Sequence, residues 1–291
     1  MKPALFTHHP CRTVAEAVGI LGSDPDDSKV LAGGQSLVPM LNLRLANPAN
    51  LVDLNTIEGL DYIRADNGTL AIGAATRQRT VELDADVLAK LPLLPAALAH
   101  VGHSQIRNRG TVAGSICHAD PAAEMPAVWL TAGGELTAEG SGGTRTIGSA
   151  DFFESYLTTA LQPDEIVTEV RFTVPTGTTG WHFEEVARRH GDFAIVGVGA
   201  MVSLNGGSTI DAARLCLIGV ADVPLRLPAV EAALVGRPAS AETFTAAAAD
   251  AVAGLDPASD VHGSAEFRRQ LARVTVRRAL TTAAARAGAA A

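Results

Sequence analysis

Two adjacent glycines, Gly33 and Gly34, separate a short apolar strand from an amphipathic stretch near the start of the chain. Residues 28–32 are predicted as a strand, and Ser36 is predicted to cap a helix over residues 37–45. Because glycine has no Cβ, the backbone can turn sharply here, and several amide groups can converge on one point. Such a turn suits a phosphate or diphosphate group, although the pattern alone favours an ordinary strand–helix turn.

A second stretch of small residues occurs later in the chain. Residues 109–115 read Arg-Gly-Thr-Val-Ala-Gly-Ser, and Asp120-Pro121 follows as a predicted start for a helix over residues 122–131. Small residues with hydroxyl donors beside a helix N-terminus also suit an anionic ligand. We call residues 32–37 the first bend and residues 109–115 the second bend. Together they could hold one dinucleotide.

Strands alternate with helices through the first part of the chain, which predicts an α/β or α+β architecture there. Further strands are expected at residues 51–54, 69–75, 135–138 and 166–174, and further helices at residues 76–81, where Thr76 would be the cap, and 91–100. The stretch 175–180 is the best candidate linker. Beyond it, three antiparallel strands are predicted at residues 181–188, 194–204 and 212–220, with a turn at Asn205-Gly206-Gly207 and helices over residues 228–287.

Charge and missing motifs exclude several classes of protein. The chain carries 23 Lys and Arg against 31 Asp and Glu, a net charge of −8, which disfavours nucleic acid as a partner. No apolar run is long enough for a membrane span and no signal sequence is evident, so we expect a cytoplasmic protein. The 3 scattered cysteines are too few for iron–sulfur clusters, and we expect no metal site. No catalytic residue is assigned.

Several motifs in combination resemble the flavoprotein (medium) subunit of molybdenum hydroxylases, the family of aerobic carbon monoxide dehydrogenase and xanthine dehydrogenase. The motifs are Ala-Gly-Gly-Gln-Ser-Leu at 32–37, Ile-Gly-Ala-Ala-Thr at 72–76, Ile-Arg-Asn-Arg-Gly-Thr-Val-Ala-Gly-Ser at 106–115 and Asp-Pro-Ala-Ala-Glu-Met-Pro at 120–126. Arg-Arg-His-Gly-Asp-Phe-Ala at 188–194 resembles the opening of the family's C-terminal domain. Each fragment alone is unspecific, whereas the combination is specific and spans nearly the whole chain.

The resemblance implies an α+β fold with a two-part FAD-binding domain of the vanillyl-alcohol-oxidase-like (PCMH) type over residues 1–175, divided near residue 56. A smaller C-terminal domain over residues 181–291 would carry the three-stranded antiparallel sheet. The first bend would hold the FAD diphosphate, and the second bend would wrap the other side of the cofactor. The residues implied in FAD binding are Ala32, Gly33, Gly34, Gln35, Ser36, Leu37, Ala74, Ala75, Thr111, Ala113, Gly114, Ser115, His118, Asp120, Ile166 and Asp192.

Electron transfer is the function that the resemblance implies. FAD would take electrons from the [2Fe–2S] clusters of a small partner subunit and pass them to an external acceptor, while a large partner subunit carries the molybdenum cofactor. A dimer of such heterotrimers is expected. Two alternatives stay open: a free-standing FAD-dependent reductase or oxidase of the same fold, and a non-enzymatic scaffold in which the glycines only form turns.

Overall fold

The computed structural model describes residues 2–206 and 208–289, and the first layer of the fold is a small parallel sheet. Its strands β1 (Thr7–Pro10), β2 (Ser28–Leu31) and β3 (Asn50–Asp53) pair in the order β1-β3-β2. The connections are the helices α1 (Val14–Ser23) and α2 (Leu37–Leu43), as parallel neighbours require. The carboxyl ends of β2 and β3 therefore meet at one edge of the sheet, which places the first bend beside the residues that follow β3.

A five-stranded antiparallel sheet forms the second layer, in the order β4-β5-β10-β6-β7. Its strands are β4 (Ile63–Asp66), β5 (Thr69–Gly73), β6 (Gly134–Gly140), β7 (Gly143–Gly148) and β10 (Ile166–Thr173). A short hairpin of β8 (Phe153–Ser155) and β9 (Thr158–Thr159) precedes β10. Between β5 and β6 run six helices: α3 (Gln78–Leu83), α4 (Ala85–Lys90), α5 (Leu93–Leu98), α6 (Ser104–Arg107), α7 (Val112–His118) and α8 (Glu124–Ala132).

The third layer is an antiparallel sheet covered by helices. Strands β11 (Thr179–Val186), β12 (Val196–Asn205) and β13 (Thr209–Ile218) confirm the three predicted strands, and the two-residue strand β14 (Leu225–Arg226) adds an edge that was not predicted. The helices are α9 (Pro228–Leu234), α10 (Ala241–Val252) and α11 (Ala265–Ala289). Part of the predicted turn, Gly207, lies outside the described residues.

Alanine and glycine allow α11 to pack closely on this sheet. Ala279, Ala283 and Ala287 are fully buried on the helix. A Cβ at Gly180 of β11 would lie only 1.8 Å from the carbonyl oxygen of Ala283, so the two backbones are nearly in contact. The alanine-rich end of the chain is therefore part of the core of this layer as far as Ala287.

Two hydroxyl groups predicted to cap helices do not do so. Ser36 has a helical backbone and makes no side-chain cap, because the amide of Val38 already donates to the carbonyl of Gly34 at 3.0 Å and starts the turn earlier. Thr76 instead bonds the backbone of Tyr62, accepting from its amide at 2.9 Å and donating to its carbonyl at 3.0 Å. Both predicted caps were wrong, because the helical backbone of Ser36 does not suit a cap and the Thr76 hydroxyl bonds Tyr62 instead.

The helix predicted after Asp120-Pro121 begins slightly later than expected. The Asp120 carboxylate accepts from the amide of Ala122 at 2.8 Å and closes a turn, and α8 starts at Glu124. Every residue of α8 is buried, since the helix lies between the second and third layers. In the described part of the chain, no helix has both the length and the apolar character that crossing a bilayer requires.

Candidate functional site

The structure brings the first and second bends into direct contact. A Cβ at Gly33 would lie 2.4 Å from the carbonyl oxygen of Arg109 and 2.6 Å from the Cα of Gly110. A Cβ at Gly114 would lie 3.5 Å from the Cβ of Ala32. Any side chain at position 33 would thus separate the two backbones, so this contact requires glycine.

The first bend leaves a run of amide groups available to a ligand. Gly34 adopts the left-handed region with φ 73°, which reverses the chain between β2 and α2. Gln35 supports the bend by donating from Nε2 to the carbonyl of Gly33 at 3.0 Å. Within the described residues, the amides of residues 33–37 donate to no backbone carbonyl. Successive free amides at a sharp bend are suited to binding an anion.

The second bend is held by its own threonine. Thr111 caps α7 and accepts from the amide of Gly114 at 3.0 Å, and the side chain of Thr111 is buried. Ala113 lies inside α7 and is not among the described residues with positive φ, so its methyl group introduces no backbone strain. Ser115 lies two residues further along the same helix, with its amide donating to the carbonyl of Thr111 at 3.2 Å.

A cleft of about 440 Å³ opens at the contact between the bends, and we call it the Gly33 cleft. Its lining comes from the first bend, α2, α6 and the residues after β3. The residues are Leu31, Ala32, Gly33, Gly34, Gln35, Val38, Pro39, Asn42, Asp53, Asn55, Ile106 and Arg109. The volume is within the range of small-molecule sites.

Asp53 and Asn55 at the end of β3 were not predicted as site residues. Burial alone would raise the pKa of Asp53, but hydrogen bonds from Asn55 and His8 outweigh it, and the pKa is lowered. Asn55 Nδ2 donates to the carbonyl of Ala32 at 2.9 Å. A sequence signal existed, since a polar pair directly after a parallel strand lies at the edge where ligands bind.

Not all of the predicted residues line the Gly33 cleft. Ala74 and Ala75 follow β5, where their amides donate to the carbonyls of Thr168 and Leu60 at 3.0 and 2.9 Å. Ile166 is 1% exposed and lies in the core that packs α1 and β3 against the second layer. Leu37 and Ser36 begin α2, and His118 and Asp120 lie at the far end of α7 and in the next turn.

Asp192 lies on the connection between β11 and β12, which reaches the side of the cleft from the third layer. A Cβ at Gly191 would lie 2.8 Å from the carbonyl oxygen of Gly102, and the rings of His190 and His103 stack with centroids 6.3 Å apart. Position 103 immediately precedes α6, which contributes to the cleft wall. Asp192 itself accepts from Arg189 Nε at 3.2 Å.

The charges of two buried carboxyl groups, Glu124 at the start of α8 and Glu185 of β11, interact between the second and third layers. Burial, together with the charges of Glu185 and Asp120, raises the pKa of Glu124 to about 8. The Glu185 side chain is 3% exposed, with Oε1 3.4 Å from His100 Nδ1 and Oε2 without a hydrogen-bond partner. The sequence placed Glu124 within a motif but gave no signal that its charge would interact with that of a second carboxyl group.

A larger cleft, of about 610 Å³, lies between α1 and the β6–β7 hairpin. Small residues such as Gly19, Gly22 and Gly140 line it, together with Glu139. It contains none of the predicted site residues and no basic side chain. The Gly33 cleft is therefore the candidate ligand site, because amides without backbone acceptors, glycines and an arginine converge there.

The comparison with known families decides the identity of the chain. Residues 5–176 match the family described as FAD binding domain in molybdopterin dehydrogenase, and residues 181–283 match the CO dehydrogenase flavoprotein C-terminal domain. The chain belongs to the FAD subunits of the molybdenum hydroxylase family. FAD is its cofactor, and the chain is the subunit of an oxidoreductase.

Relatives match along almost their whole length. The alpha subunit of the 6-hydroxypseudooxynicotine dehydrogenase complex from Paenarthrobacter nicotinovorans is 40% identical, with 99% of this chain and 97% of the relative covered. The carbon monoxide dehydrogenase medium chain of Hydrogenophaga pseudoflava is 37% identical, with 98% and 99% covered. A solved structure of carbon monoxide dehydrogenase from that organism superposes with a TM-score of 0.96 at 39% identity, covering 98% and 99%.

The residues at the contact of the bends fit FAD. The absence of a side chain at Gly33 lets the two bends touch, and the amides of the first bend lack backbone acceptors. Arg109 adds positive charge to the wall of the cleft. These features match the needs of a diphosphate, which carries negative charge and many acceptor oxygens.

We expect Gly33→Ala to weaken FAD binding at least about tenfold, because the new methyl group forces the second bend away from the first. Titration of the flavin-free chain with FAD, followed by flavin fluorescence, measures the effect. Gly142→Ala is the matched control, since a Cβ there has nothing within 4 Å. Wild-type affinity in Gly33→Ala would contradict the assignment of the cleft.

We expect the stability of the flavin-free chain to fall as the pH rises from about 5 to about 8, because folded Glu124 keeps its proton up to about pH 8 whereas the unfolded chain releases it near pH 4.5. The loss is on the order of a few kcal/mol. Glu124→Gln should flatten this dependence in urea unfolding measured across the pH range, and the exposed control Glu154→Gln should not. An unchanged slope in Glu124→Gln would show that this carboxyl group is not the cause.

Proposed function

We propose that this chain is the FAD-carrying electron-transfer subunit of a molybdenum hydroxylase complex. It would receive electrons from [2Fe–2S] clusters on a small partner subunit and deliver them to an external acceptor. The observation that carries the proposal is the contact of the two glycine bends, which would suit a diphosphate, in a chain whose relatives are subunits of multi-subunit dehydrogenases.

The cysteines of the chain support the placement of the clusters on a partner. Cys11 and Cys216 are buried in different cores, and Cys117 lies at the end of α7. Burial raises the pKa of all three thiols, to about 12 for Cys117, which disfavours the thiolate form that binds iron. Across residues 2–206 and 208–289, no group of three or more His, Cys, Asp or Glu side chains is placed to hold a metal ion.

The protein's own part in this function is to bind and orient the cofactor. FAD supplies the capacity to accept and release electrons when bound. The first bend offers amide donors to the diphosphate, and the second bend closes the site from the other side through the contact at Gly33. Of the predicted residues away from the cleft, we keep Ala74, Ala75 and Asp192 as proposed contacts of the rest of the cofactor.

The remaining predictions stay part of the proposal. His118, Asp120 and Ile166 would contact FAD from the second layer, and the boundary between the two domains would fall at residues 175–181. A large molybdenum-cofactor subunit and a small iron–sulfur subunit would assemble with this chain in the cytoplasm as a dimer of heterotrimers. The names of two relatives specify different substrates, carbon monoxide and 6-hydroxypseudooxynicotine. We infer that the large partner subunit selects the substrate.

Anaerobic mixing of the FAD-loaded chain with its reduced iron–sulfur partner subunit tests the proposal. We expect the flavin absorbance to bleach when the reduced partner is added, because the clusters pass electrons to FAD. The flavin-free wild-type chain is the control in which the clusters should stay reduced.

Two results would contradict the electron-transfer role. One is a failure of the reduced partner to bleach the flavin although a complex forms, as judged by light scattering. The other is rapid turnover of NAD(P)H or of a small substrate by the isolated chain, which would favour a free-standing reductase or oxidase.

A further inference from the structure

A chain of side-chain hydrogen bonds connects the first bend to the second bend. Asn55 Nδ2 donates to the carbonyl of Ala32 at 2.9 Å, and Asn55 Oδ1 accepts from Arg77 Nη2 at 2.5 Å. Arg77 Nη1 then donates to the carbonyl oxygen of Arg109 at 2.5 Å. We call Asn55 and Arg77 the bend bridge. Neither residue was among the FAD contacts predicted from the sequence.

The bend bridge ends on the atom that sets the spacing of the two bends. The carbonyl oxygen of Arg109 is also the atom that a Cβ at Gly33 would approach to 2.4 Å. A backbone bond from the amide of Gln78 to the carbonyl of Gly110, at 2.8 Å, holds the second bend to α3 but does not reach the first bend. The side-chain hydrogen bonds that link the first bend to the second bend are therefore those of the bend bridge.

The surroundings of Arg77 explain why a bound diphosphate would stabilise this arrangement. Burial and the charge of Arg109 lower the pKa of Arg77, and the carboxylates of Asp61 and Asp53 offset this only in part. Asp53 is already engaged, with Oδ1 accepting from the amide of Asn55 at 2.9 Å. An anion between the bends would offset the remaining positive charge.

Both terminal nitrogens of Arg77 donate to protein acceptors, so this side chain is committed to the protein on both sides of the bridge. Without the bridge, the bends would have to be brought to the right spacing when the cofactor binds. Ordering of loops at the moment of binding lowers affinity, whereas a site that is ordered beforehand avoids this cost. Arg77 would thus affect FAD binding indirectly, by fixing the backbone positions of the two bends.

We propose that Arg77, together with Asn55, is a positioning residue that holds the two bends at the spacing required by the FAD diphosphate. This inference depends on FAD being the cofactor of the chain and holds whichever partner supplies the electrons. It goes beyond the electron-transfer role, because it concerns the affinity for FAD and the ordering of the site before FAD binds.

The test is titration of the flavin-free full chain with FAD, followed by fluorescence or calorimetry. We expect Arg77→Met to raise the Kd for FAD about ten- to a hundredfold, because the bridge loses two charge-assisted hydrogen bonds. Arg77→Lys keeps the charge but cannot donate to both acceptors with one planar group, so its Kd should rise as well. The melting temperature of each flavin-free variant reports whether the fold is intact.

Asn55→Ala removes the same bridge at its other end. It replaces Arg77→Met as the test variant if Arg77→Met does not fold. If the two residues act as one unit, the double variant should bind FAD no more weakly than the weaker single variant. Arg145→Met is the matched control, because Arg145 pairs with Glu165 in the second layer, away from both bends. It should leave the Kd for FAD unchanged.

Each alternative outcome overturns the proposal in a recognisable way. Wild-type affinity in Arg77→Met or in Asn55→Ala would show that the bridge does not position the site. Wild-type affinity in Arg77→Lys with weak binding in Arg77→Met would show that charge alone matters. Additive losses in the double variant would show two independent roles. Since no electron donor is present in the titration, failure of the electron-transfer role would leave these results unchanged.

Discussion

The close approach of Gly33 to the carbonyl of Arg109 is the contact on which the site depends. It joins the edge of the parallel sheet to the helices of the second layer, and the distance leaves no room for a side chain. Once the bends meet there, the first bend and Arg109 of the second bend line one cleft. The proposed binding of a flavin diphosphate rests on that geometry and not on a single charged residue.

The third layer packs on the buried helix α8 of the second layer. Helix α8 is buried on every residue, and the amide of Gly219 after β13 donates to the carbonyl of Pro121 just before the helix, at 2.9 Å. Thr131 of α8 lies so close to Gly199 of β12 that a Cβ there would be 2.6 Å from its hydroxyl oxygen. Glu124 and Glu185 lie in the same interface. The packing of the two layers therefore buries Glu124 and raises its pKa.

The sequence predicted those features that depend on the pattern of neighbouring residues. Glycines at 33 and 34 after an apolar strand, and the small residues at 109–115, indicated two bends, which the structure brings into contact. The alternating apolar runs after residue 180 indicated three strands, which are present. The cap at Thr76 failed because its hydroxyl bonds the backbone of Tyr62, which is distant in the sequence. The cap at Ser36 failed because its backbone is already helical.

The rest depends on contacts between distant parts of the chain. The bend bridge joins residues 22 positions apart to a carbonyl 32 positions further along, and nothing in the sequence near Asn55 or Arg77 indicates that pairing. The charge interaction of Glu124 with Glu185 is equally non-local.

A crystal structure of the chain with FAD bound would locate the diphosphate. We expect it in the Gly33 cleft, with its oxygens within hydrogen-bond distance of main-chain amides from both the first and the second bend. A diphosphate that contacts only one bend, or that lies in the cleft between α1 and the β6–β7 hairpin, would contradict the proposed site.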